Sequence, residues 1–243
     1  MLRDVYRDPV VPVYWGAAQQ GMQAYSQVSA LRIWVCRRLW LTLRLFVIAV
    51  AWAMLKLGLH KQIPNRLLEP WMWITVVLSG TTSSFANLFA LRCHEKAEPH
   101  IQILAGLIRE CMSANQAAGR VSQLHIGDWH LPFIDKVEDW DIDYIDLPKV
   151  SAARCARVSY LTHNGSRAPA KDLDLYDRLV ADTPKHASAL EHAAKCINVD
   201  CTTLEGYKAA AAASGNFEHG WQQLRKLISN EATDRPVTDE LWA

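Results

Sequence analysis

The sequence predicts a mixed fold of the α+β class, because helical patterns alternate with short segments typical of strands. A helical pattern runs to about Leu57 and includes the apolar stretch 39–57. Residues 73–79 (WITVVLS) and 156–161 (ARVSYL) are rich in β-branched residues, which favour strands. Residues 171–182 (KDLDLYDRLVAD) return to a helical pattern. Helices and strands are therefore both expected along the chain.

The first half of the chain is predicted to begin irregularly and then become helical. Pro9, Pro12 and Gly16 predict extended and turning backbone over residues 1–25. The following helix is expected to stop at Gly58, a residue that favours helix C-termini. Residues 81–84 (TTSS) offer N-caps for a short helix. A further helix is expected to begin near Pro99, since proline is favoured in the first turn.

The second half is predicted to follow an irregular, Asp-rich segment over residues 119–149, which is the expected internal hinge. A helix is expected from Ser188 to about Cys196, and a last helix from Gln222 to Ile228. The alanine run before that last helix is expected to be a connector. The chain is thus predicted to be a single domain, residues 1–243, with two motif-bearing halves at about 1–118 and 150–243.

The charge balance and the cysteines indicate which partners and which cellular compartment to expect. Lys and Arg number 26 against 25 Asp and Glu, so no global field attracts nucleic acid or a membrane. The six cysteines form no CxxC pair, which predicts reduced thiols and a cytoplasmic protein. Neither nucleic acid nor a membrane is expected as a partner.

The apolar stretch 39–57 raises the alternative of a membrane helix. Arg44 and Lys56 bracket only eleven uncharged residues. This is fewer than the roughly twenty that a spanning helix needs. The stretch therefore predicts a buried core helix, with a membrane helix as the alternative because it is apolar almost all round.

The segment PKHASALEHAAK, residues 184–195, concentrates several reactive side chains. His186 and His192 are six positions apart, about 240° around a helix, so they do not share a face as an HExxH zinc motif requires. Ser188 and His192 lie one turn apart but lack a G-x-S-x-G elbow. Ser188 and Glu191 match the capping box S-x-x-E. The local pattern thus predicts a helix start and no metal site.

Two arginines stand at the edges of the apolar block LLEPWMWITVVLS…FANLFAL. Arg66 and Arg92 are predicted either to pair with acids or to form a bidentate clamp on a phosphate or a polar base edge. The chain contains neither a P-loop nor G-x-G-x-x-G, which excludes nucleotide binding through a Gly-rich turn.

Several of these segments together resemble the flavin-dependent thymidylate synthase family, especially its phage-encoded branch. RVSYL and HASALEH resemble its RVS and H-x-[ST]-P-F-E-H elements, with His186 27 residues after Ser159. NRLLEPWMWITV…FANLFALRCHEKAEPHIQILA resembles its arginine block, and HKQIPNRLLEP, GDWHLPF and ARCARVSYLTHNG resemble the phage branch. The arginine block precedes the other two elements, as in a circular permutation. The resemblance covers most of residues 58–192.

The resemblance implies a fold, an activity and a set of site residues. The fold would be a central sheet flanked by helices, and the activity would convert dUMP to dTMP with FAD, NADPH and methylenetetrahydrofolate. A cytoplasmic homo-oligomer, a tetramer in the family, is implied. The residues implied to contact flavin are Ser159, His186, Ser188 and Asn87; those implied to hold dUMP are Arg66 and Arg92, with Arg92 also catalytic.

Departures from the family pattern lead to an alternative. The signature R-H-R-x-x-S-x-N-E-x-S-x-R is absent, and it is expected ahead of RDPVVPVYWGAAQQGMQA, so that the sequence would begin just downstream of it. The A-Q-x-E-I element is replaced by residues 97–101 (AEPHI), and Ala189 and Leu190 replace Pro-Phe. The alternative is a degenerate or truncated paralogue that acts as a non-catalytic binding or assembly protein.

Overall fold

The computed structural model describes residues 1–20, 24–135, 139, 141–158, 168–182, 185–199, 201–229 and 231. Its α-helices are α1 (Leu2–Arg7), α2 (Ala30–Lys56), α3 (Gln62–Leu68), α4 (Thr82–Arg92), α5 (Pro99–Ala117), α6 (Leu147–Arg157), α7 (Pro169–Ala181) and α8 (Leu204–Ser214). The strands are β1 (Trp129–His130), β2 (Ala194–Cys196) and β3 (Trp221–Gln223), and 3-10 turns cover Glu69–Trp71, Ser188–His192 and Leu224–Leu227. A mainly helical chain with a small antiparallel sheet confirms the α+β class.

The chain divides into two compact units. Unit 1 comprises Met1–Ile74 and Ser83–Arg120, and unit 2 comprises Thr75–Thr82 and Val121–Ala243. Each unit has its own buried cluster of apolar side chains.

In unit 1 one face of α2 packs against α1 and α3. Val5, Ala51, Leu68 and Trp71 are buried together, each at most 4% exposed. The indole N–H of Trp71 donates to the carbonyl of Trp40 at 3.2 Å. This bond gives the buried N–H a hydrogen-bond partner. Helix α1 lies in a segment that was predicted to be extended, so that prediction is wrong for its first residues.

Helix α2 ends as the glycine signal predicts. Gly58 has a φ of 85°, in the left-handed region that favours glycine. Its N–H donates to the carbonyl of Leu55 at 3.1 Å, and the N–H of Leu59 donates to that of Met54 at 3.1 Å. These two bonds form a Schellman motif, which satisfies carbonyls that the helix end would leave without partners.

The prediction that α2 is a buried core helix is wrong. Only 6% of its most apolar 18-residue window is buried. Leu39 is 64% exposed and Phe46 67% exposed. The short companion helices α1 and α3 cover one side of α2, whereas its apolar residues lie all round it. By length and composition α2 meets the criteria for a membrane span.

The two remaining helices of unit 1 confirm their predictions. Helix α4 begins at Thr82, within the TTSS segment, and α5 begins at Pro99. The carboxylate of Glu98 caps α5, accepting from the backbone N–H groups of His100 and Ile101 at 3.0 Å each. Among the side chains of α5 only Ala105 is buried.

Unit 2 contains the sheet, in the order β1-β2-β3 with antiparallel neighbours. His130 pairs with Ala194, and Ala194 pairs in turn with Gln223. Helices α6 and α7 pack against each other, and their buried side chains join those of the Ser188–His192 turn in one core. Buried members of this core are Ala152, Ala153, Cys155, Tyr176, Ala189, Leu190, Ala193 and Leu224.

Both strand predictions are wrong where the structure describes them. Residues 73–79 belong to none of the described helices or strands, and Ile74 is 83% exposed. Ala156 and Arg157 end α6, while residues 159–161 lie outside the described residues. Arg157 and Arg154, one helical turn apart, both reach Asp172 of α7, and this tertiary ion network favours the helix over a strand.

The predictions for the end of the chain are also partly wrong. Residues 188–196 form a 3-10 turn and strand β2 rather than a helix. The alanine run lies in α8, in agreement with the high helix propensity of alanine. Strand β3 and a 3-10 turn replace the expected helix from Gln222 to Ile228.

Candidate functional site

The Ser188–His192 turn of unit 2 has one side packed in the apolar core and the other exposed to solvent. Leu190 is fully buried and Ala189 is 7% exposed, and both belong to the apolar core. Ser188 and His186 are exposed. The core contacts of Leu190 thus hold a turn that presents an imidazole and a hydroxyl to solvent.

The histidine at the start of this segment is held at its backbone. The N–H of His186 donates to the carbonyl of Leu179 in α7 at 3.0 Å. Its imidazole Nε2 lies 3.3 Å from a carboxylate oxygen of Asp182, and both side chains are well exposed. A pair this exposed stabilises the fold weakly, so the imidazole can exchange Asp182 for another partner at little cost.

Glu191 is used in an ion pair rather than in a capping box. Its carboxylate contacts the guanidinium of Arg225, and the amide of Asn216 donates to it at 3.4 Å. The N-cap of the 3-10 turn is Ala187 rather than Ser188, and no side chain caps the turn, so the capping-box prediction is wrong. Hydrogen bonds to Glu231 and Glu191 raise the pKa of Arg225. Arg225 therefore stays charged and fixes Glu191 to the segment after β3.

His192 lies in a half-buried histidine pair. Its Nδ1 is 3.3 Å from the hydroxyl oxygen of Ser79, so the alternative pair with Ser188 is not supported. Burial lowers the pKa of His192, and burial together with the nearby His192 lowers the pKa of His130. The ring of His130 packs edge-on against Phe217, with centroids 6.0 Å apart. Burial therefore disfavours the charged form of both imidazoles.

The Nε2 atom of His130 is buried, and none of the described residues bonds to it. His130 belongs to the GDWHLPF segment, but the sequence reasoning gave it no role. The GDWHLPF motif was the one sequence signal that could have identified His130 as a candidate, because its burial depends on the pairing of β1 with β2.

In unit 1 the predicted substrate residues are exposed. Arg66 pairs with Glu69 of the following turn at 3.7 Å, and its side chain is 78% exposed. An exposed pair of this kind is worth about 0–1 kcal/mol, so its guanidinium can exchange Glu69 for a ligand. Arg92 is the last residue of α4 and is exposed.

Asn87 lies on α4 as well, and it is exposed. Asn87 and Arg92 are five positions apart, about 140° around the helix axis, so they occupy different faces of α4. A ligand touching both would have to wrap around the helix. Ser159, the fourth residue implied to contact flavin, lies outside the described residues.

A cleft of about 250 Å³ lies in unit 1 next to the start of α5. It is smaller than the roughly 300–1,000 Å³ typical of sites for drug-sized ligands, so it can hold a ring or part of a ligand. The N-terminus of α5 is already occupied by the carboxylate of Glu98. The residues that line the cleft are Tyr14, Ala24, Tyr25, Glu95, Ala97, Pro99, Gln102 and Ile103.

Sequence reasoning missed a buried ionic cluster in unit 2. Arg154 is 5% exposed, Asp139 is 4% exposed and Asp172 is fully buried. Arginines at positions 154 and 157 and the Asp-rich segment were visible signals, but their pairing joins residues far apart in sequence. Among the described residues, no three His, Cys, Asp or Glu side chains form a group able to hold a metal ion.

Comparisons with protein-family models, curated proteins and solved structures found no match.

Proposed function

We propose that the chain is a flavin-dependent thymidylate synthase-like methyltransferase, which converts dUMP to dTMP with methylenetetrahydrofolate and NADPH. The observation that carries this proposal is the anchored turn of unit 2. Its buried Leu190 fixes the backbone, its Ser188 is exposed, and the neighbouring His186 is held only by an exposed pair with Asp182 that a ligand can replace. These are two of the residues that the sequence resemblance assigns to flavin.

The donor chemistry of the turn fits FAD. An imidazole N–H and a hydroxyl can donate to the carbonyl, ring nitrogen or phosphate oxygens of a flavin nucleotide. Asn87 of unit 1, which the resemblance also assigns to flavin, carries an amide that can donate and accept hydrogen bonds. When bound, reduced FAD supplies hydride and methylenetetrahydrofolate the one-carbon unit. The role of His186, Ser188 and Asn87 is to bind and orient.

The arginines of unit 1 fit the nucleotide substrate. We assign Arg66 to clamping dUMP, since a guanidinium matches the geometry of phosphate oxygens. We assign Arg92 to the uracil or its neighbouring phosphate, where its fixed positive charge would stabilise negative charge that develops on the base. Both side chains are exposed and so need not break a buried contact to bind.

The proposal also includes a cellular compartment and an oligomeric state. All six cysteines are free thiols, which supports a cytoplasmic setting. Helix α5 exposes Leu104 and Leu107 at 53% and 58%, and such apolar side chains support a homo-oligomer. Light scattering of the purified chain measures the oligomeric state.

The test is a visible absorption spectrum of the purified chain, first with FAD and then with dUMP. We expect a bound-flavin spectrum that shifts when dUMP is added. His186→Ala and Ser188→Ala should weaken FAD binding, whereas His125→Ala, an exposed histidine of the same unit, should not. FAD that elutes free from the wild-type chain would refute the proposal.

Variants of the arginines separate substrate from cofactor binding. Arg92→Ala should abolish the dUMP-induced shift and leave FAD binding largely intact. Arg109→Ala, an exposed arginine on α5, is the matched control and should leave both unchanged. Unchanged dUMP affinity in Arg92→Ala would remove the substrate assignment.

A second candidate function is a non-catalytic binding or assembly protein that has lost the chemistry. Glu98 favours it, because its carboxylate occupies the N–H groups at the start of α5 that an anionic ligand would use. Bound flavin without turnover of dUMP in the presence of NADPH and methylenetetrahydrofolate would support this candidate.

A further inference from the structure

Helix α2 presents a long apolar face to solvent. Between Leu39 and Leu55 the exposed side chains include Leu43 at 52%, Phe46 at 67% and Trp52 at 54%. These 17 residues rise about 25 Å along the helix axis. A continuous exposed apolar surface of this length marks a surface that binds something apolar.

The basic residue in the middle of this segment points away from the exposed face. Arg44 donates from Nη1 to the carbonyl of Val5 at 3.1 Å and to that of Tyr6 at 3.0 Å, at the end of α1. Between Arg38 and Lys56 it is the only charged residue of α2. The exposed face therefore carries no charge between Arg38 and Lys56.

Both ends of the exposed face carry a cation stacked on an indole. The guanidinium of Arg38 lies 5.5 Å from the ring of Trp34, and the ammonium of Lys56 lies 5.7 Å from the ring of Trp52. Tryptophan and basic residues together are typical of the region where lipid headgroups meet acyl chains. Helix α2 contains no acidic residue.

This charge pattern decides between a second copy of the chain and a bilayer as the occupant. If two α2 helices paired in parallel, Arg38 would face Arg38 and Lys56 would face Lys56. In an antiparallel pair Arg38 would face Lys56, so either arrangement brings like charges together. An anionic lipid surface complements both ends.

The packing of unit 1 decides how the helix meets the bilayer. The opposite face of α2 is covered by α1 and α3, which carry charged side chains such as Asp4 and Arg66. A spanning orientation would draw these charges into hydrocarbon, which is costly. An orientation in the plane of the interface buries only the apolar face.

We propose that the exposed face of α2, Leu39–Leu55, docks onto the surface of a bilayer that contains anionic lipid, with Arg38 and Lys56 at headgroup level. The proposal goes beyond the proposed function and does not depend on it. It also revises the sequence-based expectation that the chain has no membrane partner.

The test is flotation of the full chain with vesicles on a density gradient. One vesicle is pure phosphatidylcholine, and the other contains roughly three parts phosphatidylglycerol in ten, at about 0.1 M salt. We expect the wild type to float with the anionic vesicles and to float less with the neutral ones. Tryptophan emission should shift to shorter wavelength in the same mixture.

Three variants of α2 and one control variant make the test specific. Phe46→Glu, in the middle of the exposed face, should lower the partition coefficient by about tenfold or more. Arg38→Gln and Lys56→Gln should each lower it about fivefold on anionic vesicles only. Leu204→Glu, at a leucine of α8 that is 69% exposed, is the control and should float as the wild type does.

Circular dichroism of each variant checks that the helices remain folded. A wild-type chain that stays at the bottom of the gradient with both vesicles would overturn the proposal. So would a Phe46→Glu variant that floats unchanged. Light scattering that shows a dimer which Phe46→Glu converts to a monomer would assign the face to a second copy instead.

Discussion

Replacing Arg154 by methionine should destabilise unit 2 strongly. Its guanidinium makes four hydrogen bonds, two to Asp139 at 2.6 and 2.9 Å, one to Asp172 at 3.1 Å and one to the carbonyl of Phe133 at 2.8 Å. Burial alone would lower the pKa of Arg154, but the hydrogen bonds to Asp139 and Asp172 raise it. Arg154 is thus a charged hub inside the unit. Phe133 has a φ of 62°, which a phenylalanine rarely adopts, and the bond from Arg154 helps hold it there.

The magnitude follows from the charges that the substitution would leave behind. Asp172 would keep its ion pair with Arg157 at 2.6 Å. Asp139, 4% exposed, would lose both of its hydrogen bonds from the guanidinium and keep that from the backbone N–H of Asp135 at 2.8 Å. Breaking a buried pair by removing one partner costs about 3–5 kcal/mol. That is a large part of the roughly 5–15 kcal/mol that stabilises a typical domain.

The assay is hydrogen exchange of α6 peptides in the native chain, which reports the stability of unit 2 separately from that of unit 1. Arg178→Met, at an exposed arginine of α7, is the control and should change the free energy of opening by less than about 0.5 kcal/mol. The double variant Arg154→Met/Asp139→Leu should recover more than half of the loss, because it also removes the buried carboxylate that the guanidinium had neutralised. A loss below about 1 kcal/mol in Arg154→Met would refute the reasoning, since the Asp139 carboxylate would then tolerate burial without the guanidinium.

Three further predictions concern the same unit. Burial lowers the pKa of His130 and His192, so below about pH 6.5 the unfolded state binds more protons than the folded state. The free energy of unfolding, measured by urea titration, should therefore fall as the pH drops from 7.5 to 5. The variant His130→Phe should make this pH dependence weaker. Burial raises the pKa of Cys155 to about 12, so its thiol should react with a disulfide reagent only after unfolding, whereas the exposed Cys111 should react in the native chain; equal rates would contradict this order. Leu190→Ala should destabilise unit 2 by about 2–5 kcal/mol and weaken FAD binding through the turn that it anchors; an unchanged urea midpoint would contradict the anchoring role.

Helices were predictable where the signal is local. The start of α5 at Pro99 and the end of α2 near Gly58 follow from backbone properties of single residues. The helical pattern of residues 171–182 likewise matches α7. Such signals need no knowledge of what the helix packs against, which is why the burial of α2 was predicted wrongly.

Strands were not predictable because pairing is decided at a distance. Residues 73–79 have the composition of a strand, but no described strand pairs with them. Strand β2, residues 194–196, contains alanine and lysine and carries no strand signal, yet it lies between β1 and β3. Partners elsewhere in the chain thus outweigh local propensity.

In the candidate site too, local features were predictable and contacts with residues distant in sequence were not. Sequence reasoning marked His186, Ser188 and Glu191, and the first two are exposed. It expected Glu191 to cap a helix, but the carboxylate binds Arg225, which is 34 positions away. A local motif cannot compete with a charged partner that the fold brings close, because an ion pair with a hydrogen bond is stronger than a neutral cap.

The burial of each arginine distinguishes a structural role from a ligand-binding role, which the sequence alone could not do. Arg154 already uses four of its five N–H donors inside the protein, so binding a ligand would break contacts that hold unit 2. Arg66 has one exposed neighbour at 3.7 Å, and Arg92 ends an exposed helix. An anionic nucleotide can recruit these two at little cost, since their guanidinium groups lose no buried partner. Substitution of Arg154 should therefore change stability first, whereas substitution of Arg92 should change ligand affinity at constant stability.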